Sequence, residues 1–187
     1  MPRRMGMIGK RSVCAAVLLL AACSESLTPR YFDPGVVHEQ TGAFPVGEIG
    51  SFSGPQGADA RAFHRGFARA LDECNAQGGA QGRKIELEVL DDRGRPEDTR
   101  AGVLRLSGPN GAVAVGCSSG TECLKAARAA AGVLPILPGG SGASAEERGY
   151  AAGRQLVAAC ENVKKILPAE LGAELAGASG PAYPRAP

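Results

Sequence analysis

Residues Ala112–Gly142 read AVAVGCSSGTECLKAARAAAGVLPILPGGSG, and this stretch decides the fold. Ala112 to Val115 is a short, continuous apolar run that suits a strand buried on both faces, and Gly116 supplies the turn that ends it. A helix is predicted next. Ser118, Ser119 and Thr121 place hydroxyls at its start, and Ala126–Ala131 is strong helix-forming sequence that stops at Gly132. A second buried strand, Val133–Leu137, opens into Pro138-Gly139-Gly140-Ser141-Gly142. The unit is strand, helix, parallel strand. It leaves two small, hydroxyl-bearing loops at the carboxyl ends of neighbouring strands, the edge at which open α/β sheets hold ligands.

The first of these loops favours an anion. Unpaired backbone N–H groups and the helix dipole face outwards at Ser118 to Thr121, and the serine hydroxyls can add hydrogen bonds to a carboxylate or phosphate. The alternative is that these residues only cap the helix, as Ser and Thr commonly do. The second loop bears on the choice, because Gly139 and Gly140 let a ligand approach the backbone closely.

Upstream, Val46–Phe52 is predicted as a strand and Ser53-Gly54-Pro55 as a turn. A helix over Ala60–Ala76 places Phe63, Phe67, Ala70 and Leu71 on one apolar face, and glycines between Asn75 and Gly82 end it. Lys84–Leu90 alternates charged and apolar residues, as a strand near a sheet edge does. Asp91-Asp92 closes that strand and Pro96 opens a helix running to Leu106. Adjacent carboxylates on a strand point to opposite faces, and no further ligand cluster lies nearby, so a turn or cap is read in preference to a metal site. The alternation from Val46 to Leu137 implies an α/β fold: a three-layer, doubly wound parallel sheet with helices on both faces.

Downstream, Ala145–Leu167 reads as one helix, and the Ala-, Gly- and Pro-rich residues 168–187 as a disordered tail. At the other end, Arg3, Arg4, Lys10 and Arg11 precede an apolar run, Val13–Leu20, too short to span a bilayer; this is a secretory signal pattern. Leu20-Ala21-Ala22-Cys23 looks like a bacterial lipobox, which implies cleavage before Cys23, lipid attachment to it, and an envelope location facing the periplasm. With Ser24 rather than Asp after the cysteine, resemblance to such lipoproteins permits sorting to the outer membrane. The expected organisation is signal peptide 1–22, tether 23–45, lobe 46–149, C-terminal helix 150–167 and tail 168–187. His38 in the tether and His64 on the first helix have no metal-ligand spacing and are read as surface residues.

The 187-residue chain carries 21 Lys and Arg against 19 Asp and Glu, with no basic stripe, which argues against nucleic acid as a partner. Export would place Cys74, Cys117, Cys123 and Cys160 where disulfides persist, and four cysteines allow three pairings. Cys117 at a helix start is a conceivable nucleophile, but no histidine lies close in sequence. GxGxxG and P-loop signatures are missing, so no cofactor is implied and a non-enzymatic role is expected.

Two segments resemble one known family. IGSFSGPQGADARAFHRGFARALDECNAQGGAQGRKIELEVLDDRGRPEDTRAGVLRL and VGCSSGTECLKAARAAAGVLPILPGGSGAS are similar to the opening of type 1 periplasmic solute-binding proteins of the leucine/isoleucine/valine-binding class. Carried over residue by residue, the resemblance implies that Ser118, with Ser119 beside it, binds a ligand α-carboxylate, and that the Gly139 carbonyl and Ser141 hydroxyl receive the α-ammonium. Asp59 stands where such binders often place an aromatic residue over the ligand side chain, which tolerates a polar ligand. In leucine-binding relatives a cysteine at the position of Cys117 pairs with one in the Asp-Asp loop; Arg93-Gly94-Arg95 stands there instead, so that bridge is lost.

Members have two lobes that close on the ligand, whereas one lobe is seen here. GYAAGRQLVAACENVKK resembles a helix the family carries near its far C-terminus, as if the middle of the chain were deleted. The expected function is therefore a substrate-binding lipoprotein of an ABC-type amino-acid importer, reduced to one lobe and binding weakly alone. An ABC permease, a membrane anchor and self-association over the open face are the implied partners. The alternative is a structural or vestigial envelope lipoprotein without ligand.

Overall fold

The computed structural model describes residues 42–108, 111–139 and 142–178. Four parallel strands, β1 (Ala43–Gly50), β2 (Lys84–Asp91), β3 (Val115–Cys117) and β4 (Ile136–Leu137), form one sheet in the order β2-β1-β3-β4. Among the described residues five helices accompany it: α1 (Gly57–Ala76), α2 (Pro96–Leu106), α3 (Thr121–Ala130), α4 (Ala145–Asn162) and α5 (Pro168–Ala178). The order places β1 and β3 centrally and leaves the charged, alternating β2 at an edge, as its half-exposed pattern requires.

Strand periodicity sorts the core into two layers. Phe44 and Val46 of β1 face one side and pack with Phe63, Phe67, Leu71, Leu156, Leu171 and Leu175 from α1, α4 and α5. Ile49 of the same strand faces the other side and packs with Val103, Leu106, Ala127 and Leu134 in and around α2 and α3. This is the doubly wound α/β sandwich expected of the pattern.

Helix α1 and helix α4 approach closely because glycines face the contact. A Cβ on Gly66 would lie 1.9 Å from the Glu146 carbonyl oxygen, and one on Gly153 would lie 2.7 Å from the Ala70 Cβ. Outside this seam, Arg65 and Arg69 pair with Glu146, Tyr150 Oη donates to Glu73, and the Arg69 guanidinium lies over the Tyr150 ring.

Several boundaries differ from those expected. β1 begins at Ala43, so the last residues assigned to the tether belong to the sheet. Val113–Ala114 bond to β1, but β3 itself is displaced to Val115–Cys117, and only Ile136–Leu137 of the predicted second run pairs. Helix α4 starts before residue 150 and packs as part of the same layer, so no boundary falls at 149. It also stops at Asn162 rather than Leu167: Val163 is extended, and Gln81 Nε2 donates to the Cys160 and Val163 carbonyls at 2.7 and 2.6 Å, satisfying the helix end. Residues 168–178 are not a disordered tail. They form α5, which starts at Pro168, the favoured first-turn residue, and buries Leu171 and Leu175 completely. His38, Cys23, the signal pattern and residues 179–187 lie outside the described residues. Among the described residues no helix is long and apolar enough to cross a membrane.

Candidate functional site

The parallel pairing of β1, β3 and β4 brings the loops after all three to one edge. There a cleft of about 220 Å³ is lined by Gln56, Asp59 and Phe63 of α1 and its lead-in, Ser118–Gly120 after β3, Pro138 after β4, and Ala145 and Arg148 of α4. Three helix N-termini converge on it. The N-cap of α3 is Gly120, and no side chain caps that helix. Ser118 and Ser119 therefore do not serve as caps, and the first-turn N–H groups of α3 are left for whatever enters the cleft. The N-cap of α4 is different: Ser144 accepts from the Glu147 N–H and Glu147 reaches back, closing a capping box.

Ser118 and Ser119 have distinct surroundings. Ser118 Oγ is 3.5 Å from the Ile49 carbonyl oxygen, and its place depends on Gly50, where a Cβ would lie 2.2 Å from that hydroxyl. Ser119 Oγ is committed to Asp92 Oδ2. Asp92 is buried and also accepts from Ser51 Oγ at 2.8 Å, Thr99 Oγ1 at 2.9 Å and the Gly94 N–H at 2.8 Å. One carboxylate thus fastens the loop after β1, the start of α2 and the loop before α3. Asp91, its neighbour, points outwards and accepts from Ser53 and the Arg93 N–H.

Of the residues singled out in the sequence, the cleft gathers Asp59, Ser118 and Ser119. Gly139 borders it with a φ of 90°, against Phe63 and Arg148. Ser141 and Gly140 lie outside the described residues. Arg148, Gln56 and Asp92 were not anticipated. Arg148 carried a readable signal, since a basic residue in the first turn of a helix opposes the macrodipole. Asp92 carried less, because beyond the Gly94 N–H of its own turn its donors come from three other segments.

His64 is not a free surface residue. Its Nδ1 lies 2.7 Å from Oε2 of Glu48, a carboxylate of β1 with no exposed surface. Burial pushes the Glu48 carboxyl above its usual range, and the histidine pulls it back only in part. Glu48 Oε1 is buried without a hydrogen-bond partner.

Gly116-Cys117-Ser118-Ser119-Gly120 satisfies the spacing of a nucleophile elbow, but the geometry does not complete one. Ser118 does not adopt positive φ, and the described histidine, His64, is engaged with Glu48. Burial pushes the Cys117 thiol to about 11, far from a reactive thiolate. All four described cysteines are buried free thiols. Among the described residues no group of His, Cys, Asp and Glu could hold a metal.

A doubly wound parallel sheet with a polar cleft across the carboxyl ends of its strands is the α/β architecture whose crevice open sheets use for ligands. The chain matches the periplasmic binding protein family over residues 44–177 and belongs to it. An amino acid binding protein of Pseudomonas aeruginosa is 33% identical over 107 residues, which are 56% of this chain and 29% of the relative. A substrate-binding periplasmic protein from Ralstonia solanacearum is 28% identical over 50% of this chain and 28% of its own, with a TM-score of 0.46. A branched-chain amino acid transporter substrate binding protein from Streptococcus pneumoniae, in complex with isoleucine, is 23% identical over 50% and 28%, with a TM-score of 0.43. The chain thus spans less than a third of the length of these relatives.

Proposed function

We propose that this chain is an envelope solute receptor lobe that holds an amino acid at the cleft and serves an ABC-type uptake system. The observation that carries this is the α3 N-terminus, uncapped by any side chain and facing a polar cleft beside Ser118. An α-carboxylate there would accept from the first-turn N–H groups and the Ser118 hydroxyl, and the Gly139 carbonyl would accept from the ammonium. Family membership and the amino acid binding relative support the same ligand class. The signal and lipobox pattern ending at Cys23 supports anchoring to a membrane on the periplasmic side.

Ligand burial sets the affinity. A one-sided cleft leaves roughly half of a small ligand exposed, with its polar contacts competing against water, so binding is on the order of millimolar unless another subunit covers the face. The test is ligand-observed NMR on the full chain with an amino-acid panel. Saturation transfer that disappears in Ser118→Ala is expected. Absence of binding by every amino acid would overturn the proposal, and micromolar affinity in a proven monomer would overturn the one-sided cleft.

A further inference from the structure

Arg148 has no structural task that the fold explains. It sits in the first turn of α4, where the helix dipole disfavours a cation, yet it lines the cleft and is only partly exposed. The nearest acidic neighbours in sequence are committed elsewhere: Glu146 to Arg65 and Arg69, and Glu147 to the capping box. Asp59 lines the same cleft but forms no ion pair with Arg148, and it is exposed, where water screens it. Among the described residues the Arg148 side chain has neither an ion pair nor a hydrogen bond.

The cleft therefore presents two cationic features, the α3 N-terminus and Arg148, against one exposed carboxylate, Asp59. The α3 N-terminus and Ser118 account for a first anion. A guanidinium presents a planar fork of donors that matches a carboxylate in two-point contact. Building on the amino-acid reading above, we infer that the cleft selects an acidic amino acid, with Arg148 pairing with the side-chain carboxylate of the ligand. A branched aliphatic side chain would leave that cation partly desolvated and unpaired, which disfavours it.

The test is a titration of the full chain, followed by NMR, with glutamate, glutamine and leucine as probes at neutral pH. Glutamate should bind at least about five-fold more tightly than glutamine, as a charge-assisted bond exceeds a neutral one. Arg148→Gln should bring that ratio to one, and Arg148→Lys should restore part of it. Raising salt from about 50 mM to about 500 mM should narrow the preference in the wild type only. Equal binding of glutamate and glutamine by the wild type, tighter binding of leucine, or a preference that survives Arg148→Gln would overturn the inference while sparing the amino-acid reading. Failure of all three probes to bind would overturn the inference, and failure of the whole amino-acid panel would overturn both.

Discussion

Gly149 of α4 rests on the backbone of Phe63 in α1, so closely that a Cβ would lie 2.0 Å from the Phe63 carbonyl oxygen. Backbone cannot swing aside as a flexible side chain can. Gly149→Ala must therefore push α4 away from α1, at a cost of about 2–4 kcal/mol. Because Ala145 and Arg148 line the cleft from the same helix, the displacement should weaken ligand binding as well as lower Tm. Thermal unfolding together with a ligand titration checks this; an alanine variant with wild-type Tm would show that the helix seam is looser than described.

Glu48 makes the protein sensitive to pH from within its core. Burial raises its carboxyl above the ordinary value of 4.5, with the His64 hydrogen bond and charge opposing. Below that value folded and unfolded chains both hold the proton. As pH rises through the raised folded value, the folded chain must ionise a desolvated group, so the stability available in acid is lost. Glu48→Gln removes that cost and should be more stable than wild type at pH 7 by about 1–2 kcal/mol, with the advantage shrinking towards pH 4.5. Urea melts across this range are the measurement, and an advantage independent of pH would contradict the assignment.

Asp92 should matter more than its position in a turn suggests. Asn in its place keeps one acceptor and points an amide at hydroxyl and N–H donors that it cannot satisfy. Asp92→Asn is expected to cost about 2–3 kcal/mol and, by releasing Ser119, to loosen the Ser118–Gly120 loop. Amide exchange of Ser118, Ser119 and Gly120 should speed up in the variant; unchanged protection would mean that Asp92 does not hold that loop.

The thiols should be silent in the folded chain. Burial pushes Cys117 to about 11 and Cys160 to about 12, and raises Cys74 and Cys123 above 9.0. At pH 8 a disulfide reagent should find no rapidly reacting thiol among these four until denaturant is added. Above pH 9 the unfolded thiols ionise first, so stability should fall as pH climbs. A fast-reacting thiol at pH 8 that Cys117→Ser removes would revive a chemical role for that cysteine.

Much of the fold was readable because its signals are local. The apolar runs at Val46 and Val113, the Gly-rich exit after Asn75 and Pro96 each act within a few residues, and each marks an element of the sheet or its helices. Residues 168–178 were misread for the same reason: their Ala and Gly content is flexible by itself, and Leu171 and Leu175 become anchors only when a core exists to receive them.

The site divides along the same line. Parallel direction followed from alternation, and with it the meeting of the loops after β3 and β4 at one edge, with Ser118 and Gly139 on it, whereas the strand order was set by the tertiary structure. What the chain could not announce was which distant groups would arrive there. Ser119 turned towards Asp92, His64 towards Glu48, and Arg148 came into the cleft from a helix that begins after β4. Periodicity and capping are written in neighbouring residues, whereas the pairing or isolation of a charge depends on what packs beside it, and that is decided only when α1 and α4 close on the sheet.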